Sequence, residues 1–584
     1  MRQIKALFRI AEYLKPYKIR FGFVLLLTIA SSAFNGILPY VIGLPTTKIA
    51  QDLTKGNPVD FGYIKQTLVW ILLVGFSYGI CQLLAGVMMT NVVQSAMRDL
   101  RHDIEQKINR LPMSYFDSQK QGDILSRVTN DVDALSGAMQ QALIGIFSAI
   151  LSIIFAVALM FYINVFMALV SLIMIPVSYF ISQYIVKKSQ IYFNRMQNSL
   201  GTMNGFVQEN MTGFSVLKMY GREQQTVEEF HEVNGKLRQF GFKATVISGL
   251  MMPFVQLTSY LTYVVMAVLG MYYVIAGVLV VGQLQAFIQY IWQVSQPLGN
   301  ITQLSALLQS ASAASKRVFS FLDEEEETII GEDQQLPEPV TGTVSFENVS
   351  FSYHPDKPLI KNFNLEVKAG QTVAIVGPTG AGKTTLINLL MRFYDVNSGA
   401  IKIDGVDTKT VSRQAVRQQF GMVLQDAWLY EGTIADNIRF GRLDASDYEI
   451  VDAAKAANVD HFIRTMPNGY EMVINAEGEN VSLGQKQLLT IARAILADPK
   501  ILILDEATSS VDTRLEQLIQ KAMEKIMTGR TSFVIAHRLS TIREADLILV
   551  LDQGSIVEQG THESLLASGG FYSKLYNSQF AEEL

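Results

Sequence analysis

The sequence predicts a multidomain membrane protein: a six-helix, all-α transmembrane domain with long cytoplasmic helical extensions, followed by an α/β domain. Three observations support this prediction. Charged residues make up only 17% of the 584 residues, whereas about 25% is usual in soluble proteins. The deficit is concentrated in the first half, which contains six long windows without a charge. From Gly342 onward, strand-like apolar runs alternate with helical patterns, as they do in α/β domains.

The composition excludes several classes of protein. With 32 Phe, 23 Tyr and 49% apolar residues, the chain is neither disordered nor of low complexity. A net charge of −5 gives no support to nucleic-acid binding, which usually requires an excess of basic residues. The single cysteine, Cys81, excludes an intramolecular disulfide and a cysteine-based zinc site.

Each of the six uncharged windows is longer than the roughly 20 residues that a helix needs to cross about 30 Å of hydrocarbon. Buried helices of soluble proteins are rarely so long and so free of charge, so we expect six transmembrane helices. The predicted spans are approximately residues 21–45, 67–90, 138–163, 165–186, 246–275 and 283–307. Residues 1–315 are therefore predicted to form a transmembrane domain in contact with the lipid bilayer.

The distribution of lysine and arginine predicts the orientation in the membrane. Residues 1–20, 91–137 and 187–245 together carry 20 of these side chains, whereas the alternate loops carry only three. Because cytoplasmic loops are enriched in positive charge, both termini and the second domain are expected in the cytoplasm. The first apolar stretch is too long for a cleavable signal peptide. We therefore expect a multi-pass protein of the plasma membrane.

The two cytoplasmic loops between spans are unusually long, about 47 and 59 residues. At 1.5 Å per residue, a pair of antiparallel helical arms built from either loop would extend some 30–40 Å beyond the membrane. The tips of these arms are predicted at residues 111–117 and 212–215, where proline or glycine permits a turn. Such arms are expected to contact another domain in the cytosol.

One face of the sixth predicted span carries amides at helical spacing. Unpaired amides facing lipid would be costly, so this face should meet other helices or a water-filled cavity. Two interpretations remain open: hydrogen bonds between helices, or a pathway for polar or amphipathic cargo. The amides are Gln285, Gln289, Gln293, Gln296, Asn300 and Gln303.

The composition changes after about residue 310, and residues 316–341 are predicted to form a solvated linker that includes the acidic run 323–327. In the domain at 342–584, the apolar strand 372–376 leads directly into G-P-T-G-A-G-K-T-T. This segment fits the phosphate-binding pattern G-x-x-x-x-G-K-[ST], so we expect an α/β P-loop ATPase domain. The predicted ATP-binding residues of the loop are Gly377, Thr379, Gly380, Gly382, Lys383, Thr384 and Thr385.

The residue types around this loop predict separate chemical roles. The glycines let backbone N–H groups surround phosphates at the start of a helix, whose dipole favours anions. Lys383 would contact the β- and γ-phosphates, and Thr384 would hold Mg²⁺. A second buried strand, residues 501–504, is followed by Asp505, which would also hold Mg²⁺, and by Glu506, which would orient and deprotonate the attacking water. The alternative for this pair is an ordinary acidic surface turn.

Five motifs in order carry a resemblance to a known family. They are the P-loop, Gln425, V-S-L-G-Q at residues 481–485, Asp505 with Glu506, and His537. The order resembles the nucleotide-binding domain of ABC transporters. With six preceding spans, the whole chain resembles an exporter-type half-transporter, similar to one subunit of the bacterial heterodimeric multidrug exporters.

The resemblance implies roles for further residues. Tyr353 matches the aromatic residue that stacks on adenine. Gln425 matches the glutamine that senses Mg²⁺ and the γ-phosphate and communicates with the membrane domain. His537 matches the histidine that contacts the γ-phosphate during catalysis, and Asp512 lies in the segment that crosses between paired ATPase domains. The signature segment, which binds the ATP held by a partner chain, is matched by Ser482, Gly484 and Gln485.

The resemblance also implies a dimer, because two ATPase domains enclose two ATP molecules and this chain has one such domain. The family signature reads L-S-G-G-Q, but here Leu483 replaces the first glycine, where a side chain would crowd a γ-phosphate. Glu506 is intact. This combination resembles one member of a heterodimer whose partner has a regular signature and a replaced catalytic carboxylate. A homodimer that tolerates Leu483 is the alternative.

The function implied by the resemblance is ATP-driven export of amphipathic compounds, drugs or lipids, by alternating access. ATP and Mg²⁺ are the implied cofactors, and no nucleic-acid partner is expected. An importer built on the exporter fold and an ATP-gated channel or regulator are the alternatives. The predicted spans leave the cargo open, because they contain no fixed charge that would indicate an anion or a cation.

Overall fold

The computed structural model describes residues 9–327, 334–424, 427–475, 480–505, 513–536 and 539–579, with the side chains of residues 142, 298–306, 308, 309, 513, 540 and 579 excluded. The chain divides into two compact units. The first unit comprises the chain up to Asn109 and Lys120–Glu324. The second unit comprises Arg110–Gln119 and the chain from Glu325 onward. A ten-residue segment from the first cytoplasmic loop therefore belongs with the second unit.

Long helices make up the first unit. A 3-10 turn at Lys15–Tyr17 precedes α1, and a π-helical turn at Arg127–Asp131 joins α4 to α5. The longest helix, α2, has 50 residues and is therefore about 75 Å long, well beyond the thickness of the hydrocarbon core. In chain order, with α3 belonging to the second unit, the helices are α1 (Lys18–Thr54), α2 (Phe61–Arg110), α3 (Met113–Ser118), α4 (Gln121–Ser126), α5 (Val132–Ile163), α6 (Val165–Leu172), α7 (Met174–Thr212), α8 (Phe214–Met219), α9 (Glu223–Gly249), α10 (Met251–Ile275) and α11 (Val281–Leu322).

Five helical stretches of the described chain are long and apolar enough to cross a membrane, and they contain the first five predicted spans. These stretches are Arg9–Thr54, Phe61–Arg110, Gln121–Ile163, Val165–Thr212 and Glu223–Ile275. The sixth predicted span, 283–307, lies within α11, but part of its side chains are outside the described set. A count of six therefore stays a prediction. Helix α11 continues to Leu322, seven residues into the segment predicted as linker.

A single residue separates the two helices that contain the predicted third span and the start of the predicted fourth span. Helix α5 ends at Ile163 and α6 begins at Val165. Between them Asn164 accepts a hydrogen bond from the Met167 N–H at 3.0 Å through its side chain. This cap satisfies one of the amides that are free at the start of a helix. One capping residue is therefore sufficient to end one span and start the next.

Helices α1 and α11 approach each other backbone to backbone. A Cβ atom placed on Gly282 would lie 1.8 Å from the carbonyl oxygen of Gly43, so a larger residue does not fit without movement. The Gly282 N–H donates a hydrogen bond to Thr47 Oγ1 at 3.1 Å, and the buried Tyr290 hydroxyl donates to the carbonyl oxygen of Gly36 at 2.9 Å. Small residues at helix crossings permit such close approach in membranes.

We expect Gly282→Ala to destabilise the first unit by about 1–3 kcal/mol, because overpacking forces the two helices apart. The midpoint of thermal unfolding of the purified protein would measure this loss. Gly86→Ala is the matched control, since a Cβ atom there meets nothing within 4 Å and alanine has the higher helix propensity. Equal midpoints for the two variants would contradict the close contact between α1 and α11.

At least one amide on this face of α11 forms a hydrogen bond to another helix. Gln293 Nε2 donates a hydrogen bond to the carbonyl oxygen of Asn35 in α1 at 2.9 Å. Interhelical hydrogen bonding is therefore the observed role of Gln293. The side chains of Asn300 and Gln303 lie outside the described residues, and a cargo pathway along this face stays a prediction.

The second unit alternates strands and helices. Its strands are β1 (Val344–Phe351), β2 (Ile360–Val367), β3 (Thr372–Val376), β4 (Ser398–Ile403), β5 (Val406–Asp407), β6 (Phe420–Val423), β7 (Gly432–Thr433), β8 (Val473–Ile474), β9 (Ile501–Asp505), β10 (Thr531–Ile535), β11 (Leu547–Asp552) and β12 (Ser555–Gly560). Its further helices are α12 (Lys383–Leu390), α13 (Arg413–Arg417), α14 (Ile434–Arg439), α15 (Asp447–Ala456), α16 (Asp460–Thr465), α17 (Leu483–Ala497), α18 (Thr513–Met527), α19 (Leu539–Glu544), α20 (His562–Ala567) and α21 (Phe571–Gln579).

Within the described residues the strands form an antiparallel sheet of order β2-β1-β4-β5, a six-stranded sheet of order β12-β11-β3-β10-β9-β6, and the small pair β7-β8. Strands β11, β3, β10, β9 and β6 are parallel. Ile535 of β10 is in register with Ile375 of β3 and with Asp505 of β9. The carboxyl ends of these strands therefore meet at one edge, where ligands bind in α/β sheets.

Candidate nucleotide-binding site

The predicted P-loop leaves β3 at this edge and leads into α12. Gly377 has φ +153°, and a Cβ atom there would lie 2.3 Å from the carbonyl oxygen of Leu551. Gly382 has φ +101° and lies directly before α12. Both glycines allow the backbone to turn where a side chain would not fit, and the turn brings N–H groups to the positive end of a helix. This arrangement is suited to bind phosphate.

Lys383, the first residue of α12, lies inside the loop. Its Nζ donates hydrogen bonds to the carbonyl oxygens of Gly377 at 2.7 Å and Pro378 at 3.2 Å. Burial lowers the pKa of Lys383, and the negative charge of Asp505 acts in the opposite direction. The ammonium is therefore partly desolvated, which strengthens its attraction for a phosphate oxygen.

Tyr353 is the residue predicted to stack on adenine. Its ring packs edge-on against the rings of Phe351 and Tyr394, each at a centroid distance of 4.9 Å. Its hydroxyl donates a hydrogen bond to Thr385 Oγ1 at 3.3 Å. Tyr353 is 41% exposed, so part of the ring is available for stacking on a base. The structure thus joins this tyrosine to the helix that begins at the phosphate loop.

The residues predicted to hold Mg²⁺ have suitable chemistry. Thr384 lies in the first turn of α12, and Asp505 ends β9 at the same edge of the sheet. The negative charge of Asp505 acts to raise the pKa of Lys383. Mg²⁺ prefers oxygen ligands and usually takes one or two from protein, with the rest from phosphates and water. One hydroxyl and one carboxylate fit this pattern.

Four predicted site residues lie outside the described part of the chain: Gln425, Glu506, Asp512 and His537. Their roles stay predictions. The strands that precede three of them are described, because β6 ends two residues before Gln425, β9 directly before Glu506, and β10 two residues before His537. These strands are parallel and in register, so all three residues follow strand ends at one edge.

The signature segment starts α17. Ser482 caps this 15-residue helix, its Oγ accepting from the Gln485 N–H at 3.4 Å while Gln485 Oε1 accepts from the Ser482 N–H at 2.7 Å. Gly484 is buried. The side chain of Leu483, in contrast, is 41% exposed, so the substituted position projects a leucine at the start of a helix that is otherwise suited to bind an anion.

Comparison with known proteins adds independent evidence. A family model of the ABC transporter transmembrane region matches residues 21–298, and a second family model, described as ABC transporter, matches residues 360–509. A fatty acid ABC transporter ATP-binding/permease protein of Mycobacterium bovis is 47% identical over 524 residues, which cover 90% of this chain and 83% of that protein. The chain belongs to the ABC transporter family.

The similarity extends along nearly the whole transporter. An ATP-dependent lipid A-core flippase of Syntrophus aciditrophicus is 34% identical over 98% of this chain and 94% of its own length. A solved bacterial Atm1-family ABC exporter with ATP bound has a TM-score of 0.77 and 27% identity, covering 96% of this chain and 98% of its own. The transporter is therefore an exporter-type half-transporter and an ATPase coupled to transport.

In this transporter the first predicted arm tip packs within the ATP-binding unit. Tyr115 of α3 is buried. Asp117 accepts a hydrogen bond from the Tyr394 hydroxyl at 2.5 Å. Because Tyr394 also packs against Tyr353, one aromatic side chain contacts both the arm tip and the residue predicted to stack on adenine.

Sequence reasoning missed two functional features of the transporter. It did not find Tyr394, and it interpreted the acidic run 323–327 as solvated. In the structure the Glu327 side chain is only 22% exposed and forms ion pairs with Arg413 and Arg417. Nothing local indicated these partners, because they lie far along the chain.

Proposed function

We propose that this chain is one half of an ATP-driven exporter that moves fatty acids or related lipids out of the cytoplasm by alternating access. The observation that carries the proposal is the 47% identity, over 90% of the chain, to a fatty acid ABC transporter. The similarity to a lipid A-core flippase also favours a lipid cargo. Uncharged spans with hydrogen-bonding amides suit molecules with a long apolar chain and a small polar head.

The proposed cycle uses the site residues as follows. ATP binds with its base against Tyr353 and its phosphates at the loop that holds Lys383. Thr384 and Asp505 would hold Mg²⁺, which would supply positive charge to neutralise the phosphates. Glu506 orients the attacking water and accepts its proton, and ligand binding biases the membrane domain between its inward-open and outward-open states.

Transport into inside-out membrane vesicles tests this proposal. Both termini and the ATP-binding unit are proposed to be cytoplasmic in the plasma membrane, so in such vesicles ATP reaches its site from the bath. An exporter accumulates labelled fatty acid inside the vesicles when ATP is added. ATP-dependent loss from preloaded vesicles would instead identify an importer. If neither fatty acids nor phospholipids move, the lipid cargo is wrong.

We further propose a heterodimer with unequal ATP sites. Half-transporters of this fold work as dimers, and the exposed Leu483 at the start of α17 would face the ATP held by the partner. The P-loop and Glu506 of this chain would form the active site with the regular signature of the partner. The partner would lack the catalytic carboxylate, so its ATP would turn over slowly beside Leu483. A homodimer is the alternative.

Replacing Leu483 distinguishes the two assemblies. In the heterodimer we expect Leu483→Gly to change ATP turnover by less than about twofold, because the site it faces lacks a catalytic carboxylate. In a homodimer the same change relieves crowding at both active sites and should raise turnover several-fold. Phosphate release by the co-purified complex measures the difference. Lys486→Gly, one turn further along α17, controls for the effect of glycine on the helix.

A further inference from the structure

The carboxylate of Glu327 is held by two arginines of the second unit, although it lies in a segment that composition alone marks as solvated. Arg413 Nη1 lies 3.3 Å and Arg417 Nη2 lies 3.1 Å from Glu327 Oε1. The Glu327 N–H donates to the carbonyl oxygen of Arg110 at 2.8 Å. The chain is therefore fixed, through both side chain and backbone, where it enters the second unit.

The same two arginines bind the chain just beyond the end of α12. Arg413 Nη1 and Arg417 Nη2 donate to the carbonyl oxygen of Arg392 at 2.8 and 3.0 Å, and Arg417 Nε donates to that of Met391 at 3.3 Å. Carbonyl groups at a helix C-terminus carry partial negative charge and attract cations. Helix α12 thus begins at the phosphate loop and ends at the arginines that hold Glu327.

This cluster is held together by several hydrogen bonds and ion pairs. Arg392 is 2% exposed, and its Nη1 donates to the carbonyl oxygens of Thr408 and Val411 at 2.7 and 2.6 Å. Asp395 bridges Arg392 at 3.0 Å and Arg413 at 2.5 Å. Burial acts to raise the pKa of Asp395, but the two arginines outweigh it and hold that pKa below its usual range. Because Asp395 remains charged and paired with both arginines, we expect a displacement of α12 to move Arg392, Asp395 and Arg413 together.

Asp323 and Glu324, the last two residues of the first unit, form hydrogen bonds within that unit. Asp323 accepts two hydrogen bonds from Arg9, at 2.6 and 2.9 Å, and the carbonyl oxygen of Glu324 accepts from Lys107 Nζ at 2.5 Å. Only two residues lie between Glu324 and Glu327, so their Cα atoms can be at most about 11 Å apart. A connection this short limits how far its two ends can move apart.

We propose that Glu327 is a positioning residue that couples helix α12 to helix α11. When ATP binding displaces α12, Arg413 and Arg417 carry Glu327 with them, and the short connection pulls the cytoplasmic end of α11. This route runs through the linker and is separate from the contact between the arm tip and Tyr394. It depends on the ATP-driven transport cycle but not on any particular cargo.

Hydrogen exchange of the full-length transporter in nanodiscs tests the coupling, with Mg²⁺ and a non-hydrolysable ATP analogue as the probe. In Glu327→Gln we expect an unchanged affinity for the analogue, within about twofold. The nucleotide-dependent change in exchange at residues 310–324 should fall to less than half, while the change at residues 110–119 persists. Glu327→Asp should retain most of the response, because it keeps the charge. The exposed Glu325 supplies the matched control, and Glu325→Gln should behave as the wild type.

Two results would overturn the coupling role. One is a normal nucleotide response at residues 310–324 in Glu327→Gln. The other is a loss of nucleotide binding together with the response, which would make Glu327 merely structural. If Glu327→Gln does not fold, Arg417→Lys replaces it. The single ammonium nitrogen of lysine does not reproduce the fork of Nε and Nη2 with which Arg417 contacts Met391, Arg392 and Glu327. An undiminished response in this variant also rejects the proposal. Failure of the wild type to move lipids would reject the proposed cargo but leave this measurement valid.

Discussion

We expect Lys383→Ala to lower ATP turnover by about 100-fold or more. The substitution removes the ammonium that would contact the β- and γ-phosphates, and pre-placed charges of this kind supply a large part of phosphoryl-transfer catalysis. The structure holds Nζ in the loop through the carbonyl oxygens of Gly377 and Pro378. Phosphate release from the purified complex measures turnover, and nucleotide affinity should fall with it.

The control for Lys383→Ala is Lys361→Ala, which removes the same charge from an exposed position on β2. Turnover of the control should match that of the wild type. If Lys383→Ala retained more than a tenth of the wild-type rate, then either the P-loop of this chain would not belong to the active site or the partner would supply nearly all the turnover. The second case would reverse the proposed asymmetry of the two ATP sites.

The second large effect is expected for Glu506→Gln, which should lower turnover by about 10²–10⁴-fold, the usual contribution of a general base. Nucleotide binding should persist, because Lys383, Thr384 and Asp505 are unchanged. Transport should stop with hydrolysis, since a pump cannot reset without it. ATP-dependent lipid movement into inside-out vesicles and phosphate release, measured on the same preparation, test both consequences.

Glu506→Gln also separates a pump from an ATP-gated channel or regulator. A gate continues to work when nucleotide binding is intact and hydrolysis is lost, so persistent lipid movement would reject active transport. Asp505→Asn is the informative companion variant. It should weaken the Mg²⁺-dependent part of nucleotide binding as well as turnover, whereas Glu506→Gln should affect turnover alone.

The spans could be predicted from the sequence because their physical requirement is local. A charge in hydrocarbon is costly, so every window long enough to cross a membrane is visible as an uncharged run. The boundary at Asn164 is not visible in this way, because residues 134–186 form one uncharged run; in the structure the side chain of Asn164 caps the following helix. The P-loop is also local, since β3, the glycines and Lys383 lie within 12 consecutive residues.

The contacts around the site could not be predicted, because their partners are distant in the chain. Tyr394 and Asp117 are 277 residues apart, and Glu327 is 90 residues from Arg417. No periodicity or motif links such positions. An acidic run is usually solvated, and whether it is instead paired depends on which cations the fold brings to it.

The sequence by itself predicted that the chain crosses a membrane, that residues 377–385 form a phosphate-binding loop, and that the chain resembles half of a dimeric exporter. Each of these follows from residue types at short spacing. The tertiary structure alone decided that the arm tip at Arg110–Gln119 belongs with the ATP-binding unit. It also decided that Glu327 forms ion pairs with Arg413 and Arg417, the two arginines that bind the chain at the C-terminal end of α12. The physical reason is that burial and charge pairing between residues distant in the chain arise only when folding brings those residues together.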